Sequence, residues 1–258
     1  MPQTLTPEHL QCIHKRHRGY VYLLAVISVV LLLQPLAVDW PLLTSSNSIA
    51  VASVMMVCLT RYSPLRSTKY WVYGLGVSAI SFEVIWLATL ARTPELAKHL
   101  SIPHLMIWSV FISLFLMRQV RALMIEPFVN LKVLMGATSG YLLIGYLGAF
   151  LLHSLLIWQP LAFNSSYLPA RINPITEQLR AFPSMVTASF EALTTISNSV
   201  CSSGYILARI GTLTITILGQ LYVAVLIGLV LSRFQNRLEP QASRPTSSDA
   251  QIQRIERG

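Results

Sequence analysis

Apolar runs of near-bilayer length recur along the whole sequence and constrain its fold more than any other feature. A helix needs roughly 20 such residues to cross a bilayer. Six runs are assigned as spans, the second reaching that length when it is extended back to Ser45: 19–37, 49–59, 71–91, 103–123, 133–158 and 210–234. The alternating short strands typical of a membrane barrel are absent from the sequence. We therefore predict an all-α membrane protein with six transmembrane helices, whose partner is the lipid bilayer.

The composition excludes several classes of function. Only 11% of the residues are charged, whereas soluble domains carry about 25%. The net charge of +9 does not indicate nucleic-acid binding, because the basic residues flank the apolar runs. The three cysteines and six histidines show no metal-ligand spacing; His99 and His104 flank a loop, and His153 is isolated. With no catalytic triad order or phosphate-binding loop, we predict no enzymatic activity, no catalytic residue, no metal and no cofactor.

The basic residues also predict the orientation of the spans. Fourteen of the nineteen fall on one side of the predicted bundle: Lys15, Arg16, Arg18, Arg61, Arg66, Lys69, Arg118, Arg121, Lys132, Arg233, Arg237, Arg244, Arg254 and Arg257. Because positively charged loops stay in the cytoplasm, both termini are predicted to be cytoplasmic. The predicted organisation is an N-terminal segment 1–18, a four-helix region 19–125, a second membrane unit 126–236 and a disordered tail 237–258.

A short apolar patch, 183–196, lies between the fifth and sixth spans. It has fourteen residues, too few to cross a bilayer, and it follows a proline-containing segment, 159–180, that is expected to be an external loop. Pro183 suits the first turn of a helix. We predict a re-entrant helix and loop, which enters the membrane and turns back. Its C-terminal end carries a partial negative charge that favours a cation.

Residues 129–234 resemble the pore domain of potassium channels, particularly the compact bacterial and cyanobacterial six-span members. The segment VNLKVLMGATSGYLLIGYLGAFLL looks like their outer helix, SFEALTTISNSV stands at their pore signature, and GQLYVAVL, residues 219–226, matches their inner helix closely. The resemblance implies a homotetramer in the bacterial inner membrane, with a passive pathway for a monovalent cation through a pore built by the last two spans and the re-entrant loop.

The candidate selectivity filter departs from the family pattern. Thr194 and Thr195 match, and Ile196 replaces a valine, but Ser197, Asn198 and Ser199 stand where the family has Gly-Tyr-Gly. The family glycines adopt positive φ, and a serine there costs about 1–3 kcal/mol. Three outcomes stay open: a wider hydrated filter with weak or altered potassium selectivity, coordination of another ion by side chains, or loss of conduction. The alternative to a channel is a non-conducting subunit with an interaction or regulatory role.

Three further residues have two interpretations each. Glu191 lies one helical turn before Thr195, where it either supports the filter or is a neutral, hydrogen-bonded carboxyl. Glu83 lies midway along the third span, where it pairs with Arg118 or Arg121 if the fourth span packs alongside; a structural and a gating role are both open. Gly219 is either a gating hinge of the last span or a site of close helix packing.

Overall fold

The computed structural model describes residues 7–62, 69–126, 130–163, 174–196 and 206–242. These residues form seven α-helices and one short 3-10 turn, Pro160–Ala162. The α-helices are α1 Pro7–Asp39, α2 Pro41–Tyr62, α3 Lys69–Arg92, α4 Pro94–Ile125, α5 Leu131–Trp158, α6 Pro174–Thr194 and α7 Ile206–Ala242. The all-helical prediction is confirmed for this part of the chain.

Five of these helices are long and apolar enough to cross a membrane: His17–Asp39, Tyr70–Arg92, Glu95–Ile125, Leu131–Trp158 and Ile206–Gly228. They coincide with the first, third, fourth, fifth and last predicted spans. The remaining predicted span, the second, corresponds to α2. This helix has 22 residues, and the apolar stretch found among its described residues is Leu42–Cys58. Its first turns carry Thr44, Ser45, Asn47 and Ser48, all buried inside the bundle. The described residues are therefore those of a membrane protein in length and composition of their helices, and the second span stays a prediction.

Two predicted boundaries differ from the structure. The fourth span was expected to begin at Pro103, but α4 begins at Pro94 and Pro103 lies inside it. Proline fits the first helical position because its missing N–H is not needed there, and Pro94 takes that position here. The tail was expected to begin at residue 237, whereas α7 continues to Ala242. Residues 243–258 lie outside the described part of the chain.

The start of α6 corrects a third expectation. The segment 174–180 belongs to the helix and not to a loop, and Pro183 lies inside α6. A proline within a helix leaves the carbonyl four residues earlier without its usual N–H donor, which here is the carbonyl of Leu179. The hydroxyl of Thr44 on α2 donates to this oxygen at 3.4 Å. A contact from another helix thus satisfies the group that Pro183 leaves unpaired.

The fifth helix occupies the middle of the bundle. In the most apolar 18 residues of α5, 67% are buried, compared with 22% in those of α7. Aromatic rings fix α6 against it: Phe182 lies 4.9 Å from Phe150 and 5.8 Å from Tyr146 between ring centroids, and Trp108 of α4 stacks on Phe150 at 5.3 Å. One continuous apolar core includes residues from all seven helices. This core holds α6 between α5 and α7, where the candidate site lies.

Candidate functional site

The C-terminal end of α6 lies beside the middle of α5 and of α7. The carbonyl oxygen of Leu193 accepts a hydrogen bond from the hydroxyl of Tyr141 at 3.4 Å, and that of Ala192 accepts one from Thr216 at 2.7 Å. Thr216 is the eleventh residue of the 23-residue span of α7, and Tyr141 is the eleventh of the 28 residues of α5. Helix α6 therefore ends well short of the far end of either neighbour, with its last carbonyl groups held by both.

A strained turn ends α6. The amide of Ile196 donates to the carbonyl of Glu191 at 3.1 Å, and the amide of Thr195 donates to that of Ala192 at 3.3 Å. This pair of bonds is a Schellman motif, in which the residue after the helix adopts a left-handed conformation and is usually glycine. Thr195 takes it here with φ of 60°. This conformation costs a β-branched residue about 1–2 kcal/mol, so the turn beside the candidate filter is strained.

Replacing Thr195 by glycine is expected to raise the free energy of unfolding by about 1 kcal/mol, because glycine adopts positive φ without the steric cost of a Cβ. Detergent-solubilised protein unfolded with SDS would measure the change. Thr214→Gly is the matched control. Thr214 is exposed within α7, where glycine lowers stability by about 1 kcal/mol. Equal losses from both variants would contradict the assignment of strain to Thr195.

The other predicted site residues of α6 gather at the same end. Thr194 and Ile196 are exposed, and the hydroxyl of Thr194 donates back to the carbonyl of Phe190 at 2.7 Å. Glu191 is half-buried, and its Oε2 atom is buried without a hydrogen-bond partner among the described residues. A carboxylate close to the helix C-terminus adds to the negative end of the helix dipole. Ser197, Asn198 and Ser199 lie outside the described residues.

Gly219 lies against the end of α6. A Cβ atom at residue 219 would overlap Cδ1 of Leu193 and would lie 3.5 Å from the Leu193 carbonyl oxygen. Leu193 is fully buried, so its side chain has little room to move. The glycine thus permits the close approach of α7 and α6, which favours packing over the hinge interpretation.

A second polar cluster surrounds Glu83. Its Oε2 atom lies 2.6 Å from Nε2 of His104, and both residues are buried. The predicted pairing with Arg118 or Arg121 is wrong, because those residues lie at least 14 positions farther along α4, roughly 21 Å away along its axis. His104 is inside α4 and not beside a loop. His153 of α5 lines the same cavity as Glu83 and His104, so it is not isolated.

Sequence reasoning missed Tyr141, Thr216, His104 and His153. The two histidines carried a usable signal, since each is a titratable residue within an apolar run, as Glu83 is. The two hydroxyl residues carried none, because tyrosine and threonine are common in spans and their partners are backbone oxygens. Among the described residues, no group of three or more His, Cys, Asp or Glu side chains is arranged to hold a metal ion.

A scan against protein-family models, a search of curated proteins and a search of solved structures found no match to this chain. The functional assignment therefore depends on the residues and on their geometry.

Proposed function

We propose that this chain is a subunit of a homotetrameric cation channel in the bacterial inner membrane, with both termini in the cytoplasm. Helices α5, α6 and α7 form the pore unit, and residues Thr194 to Ser199 line its narrowest part. The pathway conducts monovalent cations passively, with weak or altered selectivity for potassium.

The position of the α6 end carries this proposal. Leu193 lies beside Gly219, thirteen residues after the start of α7 at Ile206, roughly 20 Å along the helix axis. The end of α6 therefore lies about this distance along the bundle from the start of α7. A helix that lies beside two spans and ends at their middle supports a re-entrant pore helix. Non-helical backbone at this depth is stable only where protein surrounds it or water reaches it.

An exposed polar side chain on α7 supports the assembly of several copies of the chain around a shared, water-filled space. In the described part of the chain, Gln220 is exposed near the middle of this span and makes no side-chain hydrogen bond. An amide facing hydrocarbon without a partner is costly. Water or another copy of the chain would satisfy it.

The expected selectivity follows from the filter residues. Serines at 197 and 199 do not readily adopt the positive φ that a carbonyl-lined potassium filter requires. Hydroxyl and amide side chains would instead line a wider, hydrated passage. The same residues support the rival function, a non-conducting subunit, and the strain at Thr195 is consistent with a segment that has lost the family geometry.

Purified protein in planar bilayers, with potassium on one side and sodium on the other, tests the channel. We expect single-channel currents with a reversal potential close to zero. No current from protein shown to be folded and tetrameric would overturn the channel proposal in favour of the non-conducting subunit. A strong potassium reversal potential would instead contradict the selectivity argument alone.

Cysteine accessibility tests the location of the pathway. Cys12, Cys58 and Cys201 are first replaced by serine, and Thr194→Cys is then compared with Val84→Cys. Both side chains are exposed, but Val84 lies on α3, which packs mainly against α2 and α4. A cationic thiol reagent is expected to block most of the current through Thr194→Cys channels and to leave Val84→Cys channels unchanged. Equal block of both variants, or of neither, would exclude Thr194 from the pathway.

A further inference from the structure

A small cavity, lined by both apolar and polar side chains, lies inside the bundle, away from the α6 end. Its volume is about 20 Å³, and a water molecule needs roughly 10–15 Å³ of such space. Five helices contribute to its lining, which comprises Thr44, Ser45, Ser48, Glu83, Trp86, Ser101, His104, Leu105, Phe150, His153, Ile157, Leu179 and Phe182. The cavity therefore has room for one water molecule and the polar groups to bind it.

The pair of Glu83 and His104 contains a proton. A separation of 2.6 Å between a carboxylate oxygen and an imidazole nitrogen requires a proton between them. If Glu83 is ionised and His104 is neutral, the buried pair has a net negative charge. One additional proton makes the pair neutral, either as a carboxylate with an imidazolium or as a carboxylic acid with an imidazole. Burial strongly favours the neutral pair, because a buried net charge loses its hydration.

Two tryptophans contact His104 and respond differently to this proton. The ring of Trp86 stacks on the imidazole, with centroids 5.0 Å apart and planes 3° from parallel. An indole face attracts a cation, so this contact favours an imidazolium. The indole N–H of Trp108 lies 3.1 Å from His104 Nε2, where it can donate only to a lone pair. The proton between Glu83 and Nε2 is present before and after loading, so the additional proton changes Nδ1, which gains an N–H in either form of the neutral pair.

His153 and Ser45 complete the site. Both ring nitrogens of His153, the hydroxyl of Ser45 and Nδ1 of His104 are buried without a hydrogen-bond partner among the described residues. His153 is 4% exposed and Ser45 is 2% exposed. Buried polar atoms nearly always have a partner, which is water where protein supplies none. A water molecule in the cavity would satisfy several of these atoms.

The charged surroundings of the cavity are simple. Among its lining residues, α3 contributes Glu83, α4 contributes His104 and α5 contributes His153 as titratable groups, whereas α2 and α6 contribute none. Tyr146 lies nearby and shares a hydrogen bond of 3.1 Å with Ser48. No Lys or Arg lines this cavity in the described part of the chain, so a proton is the positive charge available to balance Glu83.

The site lies nearer one end of the bundle than the other. His153 lies five residues before the end of α5 and His104 lies ten residues after the start of α4, roughly 8 Å and 15 Å from that end. Farther along the bundle, Trp108, Phe111 and Leu143 are fully buried. The shorter way from the cavity to the surface is therefore towards the end where α3 meets α4.

We propose that Glu83, His104 and His153, together with one buried water molecule, form a proton-binding site that is loaded from the end of the bundle where α3 meets α4. The site connects α3, α4 and α5, so its proton content changes the hydrogen bonds that join the first four helices to the proposed pore unit. This inference does not depend on the proposed conduction and would hold for a non-conducting subunit.

Solid-state NMR of the full-length protein in lipid bilayers, labelled with ¹⁵N in histidine, tests the site. Imidazole nitrogen shifts report the protonation and the tautomer of each ring. Across a pH series, we expect the resonances of His104 and His153 to change together in a single coupled transition, with cross-peaks from His153 to bound water. Glu83→Gln is expected to abolish the coupled transition. His99→Gln is the matched control, since His99 is exposed on the same helix, and it should leave the transition unchanged.

Two milder variants keep the proposal testable if Glu83→Gln does not fold. His153→Phe is expected to move the midpoint at His104 by about one pH unit, a tenfold change in proton affinity. Ser45→Val should remove the water cross-peaks. Independent titration of His104 and His153 that is unchanged in every variant would overturn the proposal. A shift of both resonances on addition of stoichiometric zinc would also overturn it, by assigning the site to a metal.

Discussion

Replacing His104 by leucine is expected to lower the free energy of unfolding by about 3–5 kcal/mol, because the substitution leaves the Glu83 carboxylate buried without its partner. The carboxylate is 2.6 Å from the imidazole, and Glu83 is 3% exposed. Unfolding by SDS from detergent micelles measures the loss. His99→Leu is the control on the same helix; His99 is exposed, and its replacement is expected to change stability by less than about 0.5 kcal/mol.

The double variant Glu83→Leu with His104→Leu separates a coupled pair from two independent residues. A buried ion pair replaced by apolar side chains of similar size is often neutral in stability, because the cost of burying charge disappears with the charges. We expect the double variant to regain most of the stability that His104→Leu loses. A residual loss of about 1 kcal/mol reflects the Trp108 N–H, which loses its neighbour. Losses that add without coupling would show that the pair does not act as a unit.

The sequence predicted the helical spans well because hydrophobicity over about twenty residues is a local property. The five spans that coincide with predicted ones differ from their predicted limits mainly at prolines and at α7. α2 was harder to assign, because its first turns contain Thr44, Ser45, Asn47 and Ser48. Those residues are buried by other helices. Their burial depends on the tertiary structure, which hydropathy along one segment does not describe.

Proline positions caused two boundary errors of nine residues each. Each of the two displaced helices contains one proline at its start and another nine residues later, and the later one was taken as the start. Both positions satisfy the local rule that proline begins a helix. The internal Pro183 is compatible with α6 because Thr44, 135 positions before Leu179 in the chain, donates to the Leu179 carbonyl that this proline leaves unpaired. A contact of that range has no local sequence signal.

The part of the candidate site that could be predicted consists of residues that are close together in the sequence. The sequence identified Thr194, Thr195, Ile196 and Glu191 as neighbours, and they do lie together at the end of α6. It did not identify the side chains that hold this end, nor the left-handed turn at Thr195. It placed Glu83 correctly in a span but gave it the wrong partner. An arginine was expected because its charge is opposite to that of a carboxylate, whereas the structure places His104 beside Glu83.

Gly219→Ala is expected to lower the free energy of unfolding by about 1–3 kcal/mol, since the added methyl group enters a packed contact. The new Cβ would overlap Cδ1 of Leu193, which is fully buried. Gly228→Ala is the control on the same helix. Nothing lies within 4 Å of a Cβ at residue 228, so alanine there should raise stability by up to about 1 kcal/mol through helix propensity.

The combination of Gly219→Ala with Leu193→Ala distinguishes packing from hinge motion. Truncation of Leu193 alone is expected to cost about 2–5 kcal/mol because it leaves a cavity. The methyl group introduced at position 219 would occupy part of that cavity, so the double variant should lose less stability than the two single losses together, with a coupling of at least about 0.5 kcal/mol.

If Gly219 serves as a hinge, its replacement should reduce bending of α7 and alter gating whatever residue occupies position 193. Currents restored in the double variant would therefore assign Gly219 to packing against the pore helix, whereas currents that stay altered, with additive losses of stability, would assign it to a hinge.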